Sequence, residues 1–183
     1  MANQPRVTPL PETEWTDEVR ELLGATQMGG RTLNIFTTLA RHPKLLKRWL
    51  VFGSHILAKS SVGPRERELL ILRTGWLCRA EYEWGQHVVI GKAIGLTDAE
   101  IARITQGPDA PGWAPFDATL LRAADELFRD KRIGDATWAA LSERYGVQEL
   151  IDVIFTVGQY TLVSMALNSL GVQLDEGIPG FPE

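Results

Sequence analysis

The chain is nearly without cysteine: Cys78 is the single one among 183 residues. One cysteine forms no disulfide within the chain, so an apolar core has to hold the fold, and a chain of this length can bury one. A redox site built on two neighbouring cysteines is excluded for the same reason.

An excess of charge of one sign is also missing. The chain has 19 Lys and Arg against 23 Asp and Glu, a formal net charge of −4. This balance argues against binding to nucleic acid through phosphate contacts. The opening segment MANQPRVTPLPETEW lacks the apolar core of a signal peptide, and we expect no apolar run of the roughly 20 residues that span a bilayer. We therefore expect a cytoplasmic protein with no membrane or nucleic-acid partner.

Histidine is scarce as well, since the chain has three. None of them stands in an HxxxH or HExxH spacing, the pattern that places two imidazoles on one face of a helix around zinc. We expect no metal site and no cofactor.

Helical punctuation is what the sequence does contain. Prolines open several amphipathic runs and glycines follow them, as at the starts and ends of helices. No two alternating runs are joined by a tight turn of the hairpin type. The sequence predicts a single all-α domain of about eight helices.

The segment CRAEYEWGQH, residues 78–87, concentrates the chemically useful side chains. Glu83 and His87 are four residues apart, so they share one face of a helix. A carboxylate can orient the imidazole and raise its pKa, which makes the pair a candidate for proton transfer; a satisfied structural pair is the alternative. The preceding helix offers Glu66 or Glu68 as a third carboxyl group, and spacing alone does not choose between them.

The run RERELLILRTGWLCRAEYEWGQHVVIGKAIGLTDAEI, from Arg65 to Ile101, closely resembles the core of the carboxymuconolactone decarboxylase family. That family is related to the AhpD-like alkylhydroperoxidases. A weaker resemblance covers roughly residues 30–175 and leaves an N-terminal extension, 1–29, and a C-terminal tail, 176–183. The resemblance implies an AhpD-like helical bundle around a helical hairpin that assembles into a homo-oligomer: a dimer, a trimer or a hexamer.

The resemblance also implies which residues form the site. The family's histidine corresponds to His87, and its glutamate, nineteen residues earlier, corresponds to Glu68. The two cysteines of the peroxidase branch fall on Ala80 and Glu83, so this chain is an EYEWxxH variant without CxxC. Cys78 lies two residues too early to replace them, and we expect it to be buried and slow to react.

Without a thiol pair, the resemblance implies proton-transfer chemistry. We expect a decarboxylase-like lyase that acts on a small carboxylated or lactone-like metabolite, with His87, Glu83 and Glu68 as catalytic residues. Arg73, Tyr82 and Trp84 are candidates for substrate binding, with an ion pair or simple packing as the alternative for each. A peroxidase of peroxiredoxin type that uses Cys78 alone, and a binding protein without catalysis, are the competing functions.

Overall fold

The computed structural model describes residues 4–27 and 30–182. That part of the chain contains no β-strand, one 3-10 turn (Glu12–Glu14) and nine α-helices. The helices are α1 (Asp17–Gly24), α2 (Asn34–Leu39), α3 (Pro43–Ala58), α4 (Pro64–Leu77), α5 (Glu81–Ala93), α6 (Asp98–Gln106), α7 (Pro115–Asp130), α8 (Asp135–Ser142) and α9 (Val147–Leu170). The prediction of a single all-α domain is confirmed, with nine α-helices in the described residues instead of about eight.

Local sequence signals set many helix ends. Proline occupies the first position of α3, α4 and α7, where its missing N–H costs nothing. Thr97 and Glu100 form a capping box at the start of α6. At the end of α9, Gly171 takes the left-handed conformation, with φ at 68°, that glycine adopts without strain.

Helix α4 lies at the centre of the molecule. It packs against α5, α7 and α9, and four consecutive residues, Leu69 to Leu72, are fully buried. A helix that is buried on every side is surrounded by other elements of the core. Polar residues of α4 such as Glu68 are therefore inside the protein and need partners there.

The two terminal segments pack onto this core. Leu23 of α1 joins Leu46 of α3 in one apolar cluster. At the other end of the chain, the ring of Phe181 stands edge-on to Trp76, with centroids 5.2 Å apart, and tilted against Trp84. The described parts of the extension and of the tail thus belong to the same packed unit.

The expectation that no apolar run is long enough to span a bilayer is wrong. Helix α9 has 24 residues and a mean hydropathy of 1.6, enough by length and composition. However, 56% of its most apolar window is buried inside the protein, as in the core helix of a globular domain. The cytoplasmic location expected from the sequence stays a prediction.

Candidate active site

The site is formed where α4 and α5 face each other. Only residues 78–80 separate the two helices, so α5 folds back along α4. This hairpin places His87 opposite Glu68, nineteen residues earlier in the chain. Glu66, the alternative on the same helix, instead accepts a hydrogen bond from Arg144 at 2.8 Å. The geometry agrees with the choice of Glu68 that the family spacing gave.

His87 lies between two carboxylates. Its Nδ1 is 2.6 Å from Glu68 Oε2, and its Nε2 is 3.1 Å from Glu83 Oε1. All three residues are buried: the exposed fractions are 0% for Glu68, 5% for Glu83 and 4% for His87. The structure therefore brings the three predicted catalytic side chains together, and their catalytic role stays a prediction.

The arrangement determines where a proton is held. An ionised carboxylate only accepts hydrogen bonds, so two carboxylates can both bind this ring when both of its nitrogens carry protons. Burial alone would lower the pKa of His87, but the charges and hydrogen bonds of Glu68 and Glu83 outweigh burial and raise the pKa from 6.5 to about 10. At neutral pH, His87 is an imidazolium.

A fourth charged group lies behind this triad. The Nε atom of Arg67 is 3.9 Å from Glu68 Oε1, an ion-pair distance that is too long for a hydrogen bond. The charges thus alternate along the series Arg67, Glu68, His87 and Glu83. Each buried charge has an opposite charge as its neighbour, which offsets part of the cost of removing these groups from water.

The triad opens onto a cavity of about 130 Å³. Glu83 and His87 line it, whereas Glu68 lies behind His87 and does not. Most of the wall is apolar and comes from α2, α3, α5 and α9, with Leu33, Ile35, Phe36, Ile90 and Val163 among its residues. A mostly apolar cavity with a few convergent polar groups is the usual form of a small-molecule site.

Two neighbouring residues of α9, Gln159 and Tyr160, add polar groups to the wall, and the sequence analysis missed both. The Tyr160 ring stands perpendicular to the His87 imidazole, with centroids 4.9 Å apart. Burial, and then the charges of Glu83 and Glu68, raise the pKa of Tyr160 well above its usual value, so its hydroxyl keeps its proton. No local pattern marks these residues, because they lie inside a long apolar run.

Arg73 has a structural role in place of the expected substrate contact. It donates to both carboxylate oxygens of Asp125 on α7, at 2.9 Å from Nη2, and to the backbone oxygen of Ile104 at 2.8 Å. Arg73 is not among the residues that line the cavity. Its donors are used to tie α4 to α6 and α7, so the ion-pair alternative fits the structure.

The two aromatic candidates for substrate binding differ in position. Trp84 does not line the cavity; it is buried between Trp76 and Phe181 in an aromatic cluster, so packing accounts for it. Tyr82 does line the cavity, but its hydroxyl donates to Asp175 of the C-terminal tail and accepts from the backbone N–H of Ile35. Tyr82 therefore shapes the cavity wall with a hydroxyl that is already engaged.

Cys78 caps the end of α4 and does not line the cavity. It is half-buried, where the sequence analysis expected full burial. Burial raises the pKa of its thiol, opposed by hydrogen bonds with Ser164 and Thr161. The thiolate is the reactive form, so we expect iodoacetamide at neutral pH to modify the native protein much more slowly than the urea-unfolded chain. Equal rates would contradict this description.

The raised pKa of His87 also predicts how stability depends on pH. The folded chain holds this proton more tightly than the unfolded chain, so the stabilisation is complete below about pH 6.5 and is lost as the pH rises through about 10. Urea unfolding between these two values should show a falling free energy of unfolding. In His87→Gln this fall should be much smaller, and an equal fall in both proteins would refute the assignment.

Among the described residues, no group of three or more His, Cys, Asp or Glu side chains has the geometry to hold a metal ion. The donors of the triad are instead occupied by one another, at the distances given above. The chemistry that these residues offer by themselves is proton transfer.

Comparisons with known proteins agree with this fold. The chain is similar to an uncharacterised peroxidase-related protein with an AhpD core from Ralstonia eutropha JMP134, at a TM-score of 0.81 and 19% identity over 93% of this chain and 92% of that one. A peroxidase-related protein from Silicibacter sp. TM1040 gives a TM-score of 0.79 at 14% identity, over 95% and 91% of the two chains.

The debrominase Bmp8, in complex with 2,3,4-tribromopyrrole, gives a TM-score of 0.79 at 12% identity, over 96% of this chain and 95% of that one. At such identities, likeness shows the fold alone. No curated protein matches the chain significantly. The model of the carboxymuconolactone decarboxylase family matches residues 43–126, which span α3 to most of α7 and include the whole triad. The chain therefore belongs to the carboxymuconolactone decarboxylase/AhpD-like superfamily.

Proposed function

We propose that this protein is a carboxymuconolactone decarboxylase-like enzyme that moves protons on a small carboxylated or lactone-like metabolite. The observation that carries the proposal is the buried imidazolium of His87, held between Glu68 and Glu83 at the wall of an apolar cavity. A structural ion pair has no need of a cavity beside it. A protonated ring next to an ionised carboxylate, both facing the same cavity, supplies an acid and a base in one site.

The three residues have distinct roles in this proposal. His87 is the general acid, because it is protonated at neutral pH. Glu83 faces the cavity and accepts a proton, either from the substrate or from His87. Glu68 does not line the cavity; it keeps the ring charged and oriented through its contact with Nδ1. The division assigns each group the step that its position allows.

In a decarboxylation, the bond between the ring carbon and the carboxylate breaks and carbon dioxide leaves. Its electron pair remains on the substrate as an enolate, to which His87 delivers a proton at carbon. In an isomerisation, Glu83 removes a proton from carbon and the proton is returned at a second carbon. Both reactions are redox-neutral and need no group beyond those in the site.

The peroxidase alternative has less support in the geometry. Cys78 does not line the cavity, and the raised pKa of its thiol disfavours the thiolate that would attack a peroxide. The AhpD-like relatives support it through the fold alone. The same fold encloses a single small ring in the debrominase Bmp8, whose complex contains 2,3,4-tribromopyrrole. That precedent favours a small ring as the ligand class.

The test is a screen of unsaturated lactones and β-keto acids, followed by NMR for product and for carbon dioxide release. Turnover in the wild type and in Cys78→Ser would support proton transfer and exclude the thiol. Peroxide consumption that disappears in Cys78→Ser would support the peroxidase instead. Binding of these compounds without any turnover would contradict an enzymatic role and indicate a binding protein.

We also propose that the protein is a homodimer. Large apolar side chains on α9 and the neighbouring part of α3 are 38–74% exposed, and we call this surface the α9 stripe: Val147, Ile151, Ile154, Phe155, Leu162, Met165, Val51 and Phe52. The rings of Phe52 and Phe155 are 6.0 Å apart and join the two helices into one surface. Its exposed apolar area is roughly 800 Å², about what each partner buries in an interface of standard size.

The sequence also pointed to LLILRTGWL as exposed apolar surface, but most of that segment is buried in α4, and α9 alone carries the argument. Light scattering at micromolar concentration should give twice the mass of 20.4 kDa. Phe155→Glu should dissociate the dimer, whereas Trp138→Glu, at an exposed apolar residue of α8, should not. A wild-type monomer, or dissociation by both changes, would overturn the proposal.

A further inference from the structure

We propose that the cavity takes an uncharged single-ring carbonyl compound, whose carbonyl oxygen is held by Tyr160 and Gln159 and whose carbon-bound proton faces Glu83. This inference rests on the proposed proton-transfer function and adds to it a substrate class and two further residues. It also decides between the carboxylated and the lactone-like substrate, in favour of a neutral lactone or a related ring.

Charge excludes an anion from the cavity. No Lys or Arg is among the described residues that line it. The charge of His87 is already balanced by Glu68 and Glu83 on its two ring nitrogens. A substrate carboxylate would have to leave water for an apolar wall, beside the carboxylate of Glu83, with no free cation to receive it.

Size restricts the ligand to a single ring. The cavity measures about 130 Å³. An engineered protein cavity of roughly 150 Å³ with apolar walls holds one benzene molecule. A ring with one or two small substituents therefore fills the space, and a fused or long-chain compound does not fit.

Hydrogen-bond donors on α9 supply the carbonyl contact. Tyr160 has a raised pKa, so its hydroxyl is a donor at every pH at which the protein is studied. Gln159 is 5% exposed, lines the same cavity and takes part in none of the side-chain hydrogen bonds found among the described residues. Neither Glu83 nor an imidazolium bound on both sides has a free donor, so a carbonyl oxygen finds its partners in these two α9 residues.

The reaction step follows from this placement. Glu83 takes the proton from the carbon next to the carbonyl group. The electron pair of that carbon–hydrogen bond forms a carbon–carbon double bond, and the carbonyl π pair moves onto oxygen, where Tyr160 and Gln159 stabilise the negative charge. Return of a proton to carbon completes an exchange or an isomerisation, with no change of oxidation state.

The experiment uses α-angelica lactone, a five-membered unsaturated lactone, and the same ring with a carboxylate in place of its methyl group. Calorimetry should show that the neutral lactone binds at least tenfold more tightly than the carboxylated one. Gly53→Leu should weaken binding of the neutral lactone, because Gly53 lines the cavity and a larger side chain would enter it. Tighter binding of the carboxylated ring, or no binding of either, would overturn the substrate class.

Proton exchange at the carbon next to the carbonyl group is followed by NMR in heavy water with the same lactone. Tyr160→Phe should lower the enzyme-catalysed exchange rate roughly 10²–10³-fold, the usual effect of losing one donor to a developing oxyanion, with a much smaller change in binding. Tyr145→Phe is the matched control, because Tyr145 is a half-buried tyrosine that packs with Phe116 away from the cavity.

The outcomes separate the two proposals. Selective binding of the neutral lactone without any exchange would support the substrate class and contradict the proposed catalytic function. Exchange that is as fast in Tyr160→Phe as in the wild type would overturn the role of Tyr160.

Discussion

Replacing His87 with alanine is expected to lower turnover roughly 10²–10⁴-fold, the usual effect of losing a general acid. The reason is positional: His87 is a protonated donor on the cavity wall, and no second histidine lines the cavity among the described residues. The rate is measured with whichever lactone or β-keto acid the screen identifies, under saturating substrate.

The matched control is His55→Ala. His55 is an exposed histidine of α3 that does not line the cavity, so its loss should leave turnover unchanged. Far-UV circular dichroism of both variants checks that the helices remain. A folded His87→Ala protein with wild-type turnover would show that the triad is part of the scaffold and takes no part in catalysis.

Removing Glu68 is expected to destabilise the protein by about 3–5 kcal/mol, the usual cost of taking one partner from a buried ion pair. Glu68 is fully buried, and Glu68→Ala leaves His87 with one carboxylate and Arg67 without its counterion. The free energy of unfolding is measured by urea denaturation at neutral pH.

Glu66→Ala serves as the comparison on the same helix. Glu66 pairs with Arg144, whose side chain is 56% exposed, and such solvent-exposed pairs contribute roughly 0–1 kcal/mol. The difference between the two variants isolates the effect of burial beside His87. Equal losses of stability would mean that the Glu68–His87 contact contributes little to the folded state.

Local sequence signals predicted much of the fold and half of the site. Proline and glycine placement predicted the helix boundaries, since these residues act through their own backbone. The spacing of four residues placed Glu83 and His87 on one face because both lie on α5. Glu68 is on another helix, and the residues alone left it open against Glu66 until the family spacing was used.

Contacts between distant segments could not be predicted from the sequence. Arg73 meets Asp125, 52 residues later, and no pattern in either helix indicates that pairing. Tyr160 lies against His87 because α9 packs on α4 and α5, an arrangement set by the whole bundle. The tail residue Asp175, which binds both Tyr82 and Gln86, stands in an irregular segment where periodicity gives no information.

The charge state of His87 is the most direct test of the account, and nitrogen-15 NMR of the histidine side chains measures it. His87→Gln identifies the signals. Both ring nitrogens of His87 should carry protons throughout the neutral range and up to a pH near 10, where the ring begins to lose one. A neutral ring at about pH 8, with one nitrogen unprotonated, would contradict an imidazolium held between Glu68 and Glu83 and with it the assignment of His87 as the acid.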